Sequence, residues 1–93
     1  MTGGPPVEPL GSDERLSEDL RLAFGKNFRE ARLRAGSTQA QVAERTGLTQ
    51  QHVSEIEAGR VNLTLATMVA LARVAGQEVA TLLQPGRGRT TKR

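Results

Sequence analysis

The side chains whose types and spacing suggest chemistry lie in one stretch, QAQVAERTGLTQQHVSEIEAG, from Gln39 to Gly59. Val53 and Ile56 stand three apart, so on a helix both point inward and leave Gln50, Gln51 and Glu55 turned outward. Carboxamides and a carboxylate on an open face exchange hydrogen bonds with whatever they meet. No grouping of nucleophile, base and orienter accompanies them, so the chemistry is recognition and no catalysis is expected.

Presenting such a face takes two helices held close together. Ala43 falls where the first helix crosses the second, and a larger side chain would push them apart. Gly47 falls where the chain reverses through a left-handed conformation just past a helix end, at little steric cost without a Cβ. The spacing of Gln39, Ala43, Gly47, Val53 and Ile56 therefore predicts helix, tight turn, helix.

Similar punctuation recurs along the chain. Glycines at 36, 47, 59 and 76 suit helix ends, and Thr38, Thr49 and Thr64 suit the N-caps of the helices that follow, with Gln41 completing a capping box on Thr38. These signals predict helices over 20–35, 39–46, 50–58, 65–75 and 79–84, with Pro85 ending the last. Phe24, Phe28, Ala31 and Ala35 form one helical stripe, and Leu65, Met68, Val69, Leu71 and Ala72 another; no alternating strand pattern is present. The fold class is all-α, a compact five-helix bundle. Its expected core is Phe24, Phe28, Val42, Ala43, Val53, Ile56, Leu65, Met68, Ala72, Val79 and Leu82, small enough that a second copy would help stability.

Composition narrows the function classes. A chain of 93 residues, 37% hydrophobic, suits one domain. Without Cys there is neither a disulfide framework nor a Cys-containing zinc site, and the single His forms no cluster, so no metal or cofactor is expected. No apolar run approaches a membrane span, and the opening MTGGPPVEPLGSDE lacks the basic start and apolar core of a signal peptide, so a cytoplasmic location is expected. The net charge of +3 is unevenly spread: residues 1–19 sum to −4, 20–83 to +3 and 84–93 to +4. The expected organisation is a flexible acidic arm over 1–19, a domain over 20–84 and a flexible basic tail over 85–93. The tail could add sequence-independent phosphate contacts.

The run FGKNFREARLRAGSTQAQVAERTGLTQQHVSEIEAGRVNLTLATMVALARVAGQEVATLL resembles the DNA-binding domain of the phage repressor and Cro family, often called XRE-type. Beyond the turn spacing, the match includes Arg32, the Thr38-Gln39 and Thr49-Gln50-Gln51 helix openings, and Glu57-Ala58-Gly59-Arg60. The resemblance implies a lambda-repressor-like domain whose third helix enters the major groove of double-stranded DNA, two copies binding a palindromic operator.

Position by position, the resemblance puts Gln50 and Gln51 at base edges, where a Gln can bond adenine bidentately, with Ser54 and Glu55 on the same face. A carboxylate at Glu55 is repelled by phosphates unless it accepts from cytosine N4. Gln39, Thr38, Thr49, Arg60 and His52 fall where phosphate contacts are expected, and Gln39 could also brace Gln50 from behind. Arg32 and Glu57 match an internal ion pair. The chain departs from the family pattern at Asn62-Leu63, where a Pro is common, and at Glu78, in place of a small N-cap. Of the adjacent Leu82 and Leu83 only one can point fully inward, which makes the pair a candidate dimer patch. The implied function is a homodimeric transcriptional repressor. The alternative is an antitoxin or adaptor whose main task is to hold a partner protein such as a toxin, since a helix-turn-helix does not itself prove DNA binding.

Overall fold

The computed structural model describes residues 14–85, which fold into five helices: α1 (Glu14–Arg34), α2 (Gln39–Thr46), α3 (Gln50–Glu57), α4 (Leu65–Ala75) and α5 (Val79–Leu82). The basic tail from Gly86 and the arm up to Asp13 lie outside the described residues.

α1 begins six residues earlier than the expected start at Leu20, so Glu14–Asp19, assigned above to the arm, are helical. The helix extends this far because Leu16, Leu20, Phe24 and Phe28 repeat every four residues, no Gly or Pro falls between Glu14 and Phe24, and Glu14 places an acid in the first turn. α2 to α4 are bounded by their caps. Thr38 and Gln41 form a complete capping box, Thr49 Oγ1 accepts from His52 N–H, and Thr64 Oγ1 accepts from Thr67 N–H. Gly47 sits at φ 80° and closes α2 by donating its N–H to Ala43 O. Glu78 starts α5 without a side-chain cap bond, and the helix is only four residues long, with Leu83 and Gln84 in the following turn.

The core gathers where α1 crosses α3, α4 and α5. Phe24 and Phe28 are fully buried with rings nearly parallel, centroids 6.4 Å apart, and Val42, Ala43, Val53, Ile56, Ala72 and Leu82 close around them. Two expectations need correction. Leu65 is 73% exposed, because it opens α4 at the edge of the stripe, beyond the reach of the other helices; Leu71 takes the inner place and is fully buried. Met68 and Val79 are only partly buried, packed against the core.

Two residues govern how closely the elements approach. At Gly25 an added Cβ would fall onto Ile56 O and within 2.8 Å of Glu57 O, both immovable backbone atoms, so α1 and the end of α3 touch only because that Cβ is missing. Asn27, buried in the apolar stripe of α1, donates through Nδ2 to Leu82 O at 2.9 Å and Gln84 O at 2.8 Å. The short α5 thereby has its orphan carbonyls satisfied from another helix.

Candidate nucleic-acid interface

The inner side of α3 is fixed first. Val53 and Ile56 are 0% and 1% exposed, and Thr49 locks the start of the helix through its cap bond. The helix packs on α2 across the turn Gly47-Leu48-Thr49, where Thr46 Oγ1 accepts from Leu48 N–H at 3.4 Å while donating back to Val42 O within α2. What the core does not take is offered outward: Gln50, Gln51 and Ser54 are exposed, His52 and Glu55 half-buried, and Arg60 exposed just past the helix end. Thr38 and Thr49 are exposed caps at the N-termini of α2 and α3.

Behind this face the ends of three elements are tied by one polar cluster. The Arg32 guanidinium meets Glu57 in a two-pronged pair, Nε to Oε2 at 2.6 Å and Nη2 to Oε1 at 2.9 Å, and Nη1 donates to Ser37 O at 2.9 Å. Gln39 Nε2 adds a third donor to the carboxylate, 3.0 Å from Oε1. The Gln39 side chain is thus directed at Glu57, and the brace expected against Gln50 is replaced by a bond to the far end of α3. Both charges are nearly excluded from water, with side chains 8% and 3% exposed. Donating to the Glu57 carboxylate raises the Arg32 guanidinium above its ordinary pKa, outweighing the opposing effect of burial, so it stays charged.

The cluster sets the pose of α3: one end is capped by Thr49, the other held through Glu57 to α1 and α2. The exposed Gln side chains therefore project from a helix with little freedom to tilt. Of the two leucines expected at an interface, Leu82 is 1% exposed and belongs to the core, its inward direction set by packing on α1; Leu83 is half-buried. Sequence reasoning passed over Asn27 and Gly25, whose roles depend on backbone atoms of α5 and α3. Asn27 left one signal, a polar residue interrupting the apolar positions Phe24, Phe28 and Ala31. No described helix is long and apolar enough to cross a membrane.

Known proteins share this fold. A helix-turn-helix family profile matches residues 28–82. An uncharacterized HTH-type transcriptional regulator, y4dJ, of Sinorhizobium fredii is 39% identical over 67 residues, covering 72% of this chain and 87% of that protein. Among solved structures, a hypothetical transcription factor from Neisseria, NHTF, superposes with a TM-score of 0.70 at 32% identity, over 78% of this chain and 82% of that one. The restriction-modification controller protein C.AhdI from Aeromonas hydrophila superposes with a TM-score of 0.63 at 31% identity, over 67% of this chain and 94% of that one. Since that profile spans the end of α1 and all of α2 to α5, and y4dJ is similar over most of its own length, the chain belongs to the phage repressor and Cro (XRE-type) helix-turn-helix family of DNA-binding proteins.

Proposed function

We propose that this chain is a sequence-specific transcriptional repressor that binds a palindromic operator as a homodimer, with α3 in the major groove. The observation that carries the reading is the split of α3 into a buried Val53–Ile56 side and an exposed Gln50, Gln51, Ser54 side on a helix pinned at both ends. Gln50 and Gln51 read base edges, each able to present donor and acceptor to adenine N7 and N6; Ser54 and Glu55 face the neighbouring pairs, the latter toward a cytosine N4. The N-termini of α2 and α3, with Thr38, Gln39 and Thr49, meet phosphates through backbone N–H groups, and Arg60 and His52 add side-chain contacts. The chain acts in the cytoplasm, where its operator is.

The test is selection of random duplex DNA by the purified chain at near-physiological salt, followed by sequencing. A palindrome with half-sites about 34 Å apart, one helical turn, is the expected product. Retention without sequence preference that fades as salt rises would leave phosphate attraction alone. That result would favour the second reading, an adaptor or antitoxin, for which the exposed Leu65 and Val69 on α4 are the supporting observation.

A further inference from the structure

An open groove of about 630 Å³ runs between the first turns of α1, the loop after α3, α4 and the end of α5. Its walls are apolar, with Leu16, Leu20, Leu63, Met68 and Leu83 contributing side chains. Leu16 is 61% and Leu20 39% exposed, so these walls face water. Arg21 lies among them. Its Nη1 donates to Ser17 Oγ at 3.2 Å and to Asn62 Oδ1 at 3.1 Å, which fixes the guanidinium in place, while its Nε is buried with no acceptor. Among the described residues no carboxylate lies in ion-pair reach of Arg21, and none lines the groove.

A guanidinium bonded only to neutral partners has no counter-ion beside it, and a carboxylate reaching its Nη edge from the groove would supply one in a charge-assisted bond. Here the cation is held by neutral partners and ringed by hydrocarbon, which favours a ligand with one negative end and an apolar body. The geometry points to a binding site for a small amphipathic carboxylic acid, its carboxylate on Arg21 and its hydrocarbon chain along Leu16, Leu20, Met68 and Leu83. The volume lies within the ~300–1,000 Å³ of small-ligand clefts. An extended peptide suits the groove less well, because its backbone amides would need partners, and Ser17 and Asn62 are already engaged with Arg21. Arg21 is also joined through Asn62 to the loop leaving α3, so occupancy bears on the segment that follows the proposed reading helix. The site itself stands on the groove and Arg21 and does not depend on that reading of α3.

The experiment is titration of the full chain with decanoate, below its micelle concentration, followed by methyl and amide NMR. Decanol serves as the uncharged control and acetate as the tail-less one. Saturable one-to-one shifts confined to Leu16, Leu20, Leu63, Met68 and Leu83 are expected with decanoate. Decanol, and decanoate with the Arg21→Gln variant, should bind about tenfold more weakly, the loss of one charge-assisted contact. Leu16→Glu, a change at an exposed position that leaves the core intact, should repel the acid and weaken it similarly. Equal binding of decanol, an undiminished Arg21→Gln variant of unchanged thermal unfolding, or shifts scattered over the surface would overturn the proposal. So would methyl shifts of the same residues that depend on protein concentration without any acid, since these would give the groove to a second copy.

Discussion

On the proposed reading, Gln51 and Arg60 separate two kinds of contact that a helix-turn-helix makes with DNA. A carboxamide on a base edge carries information, so Gln51→Ala should cost about 1–3 kcal/mol on the selected operator and relax discrimination at one base pair. Arg60→Gln removes a phosphate partner instead. It should weaken selected and scrambled duplexes alike and lower the slope of log K against log salt by about 0.9. Binding isotherms at several salt concentrations distinguish these outcomes, and equal loss on every sequence for Gln51→Ala would sink direct readout. Behind them, Glu57→Ala would strand the nearly buried guanidinium of Arg32 and leave Gln39 without its acceptor; urea unfolding should show a loss of about 3–5 kcal/mol. The double variant Arg32→Met with Glu57→Leu should recover much of that loss, because it leaves no unpaired charge. The raised pKa of Arg32 means its stabilisation is present below the unfolded value and is lost only as pH rises through the folded one. An arginine titrates so far into alkali that this contribution is constant between about pH 5 and 9.

Helix placement depends on contacts as narrow as a single atom. Gly25→Ala would push a methyl group into the carbonyls of Ile56 and Glu57, moving the end of α3 away from α1 and disturbing the Arg32–Glu57 pair with it. Overpacking of this kind costs about 1–3 kcal/mol. A calorimetric midpoint unchanged by Gly25→Ala would mean that α1 and α3 can separate without penalty. Asn27→Ala should cost about 1–3 kcal/mol by leaving the carbonyls of Leu82 and Gln84 unsatisfied, and hydrogen exchange should quicken first in α5. α2 and α4 were legible in the sequence to the residue because each is bracketed by a Thr cap and a Gly stop, local signals that need no tertiary partner. The start of α1 was not, because Glu14, Glu18 and Asp19 make this segment read as a solvated arm, and only the burial of Phe24 and Phe28 gives the four-residue spacing of Leu16 and Leu20 its meaning. The outward face of α3 was also legible, since Val53 and Ile56 fix which side is inside. The bond from Gln39 to Glu57 spans 18 residues and that from Asn27 to Leu82 spans 55, and helical periodicity carries no information about such pairings.

The molecule as a whole has a small core, ten buried apolar residues among those described, so its folded state has little stability to spare. Ligands that bind only the folded chain then have a large relative effect. At a hundredfold excess over its dissociation constant, the operator should add about 2.7 kcal/mol. For a domain of this size that corresponds to a rise of roughly 10–20 °C in unfolding temperature. A scrambled duplex of equal length at near-physiological salt should give much less, because its phosphate contacts are screened while base contacts persist. The comparison also bears on assembly. If two copies share one operator, the rise should saturate at one duplex per two chains, and the free protein's unfolding temperature should climb with its own concentration wherever dimerisation contributes to folding. Saturation at one duplex per chain, with no dependence on protein concentration, would make the bound species a monomer and remove the basis for a palindromic site. Equal shifts from operator and scrambled DNA would instead place the binding energy in charge alone, and the exposed glutamines of α3 would need another purpose.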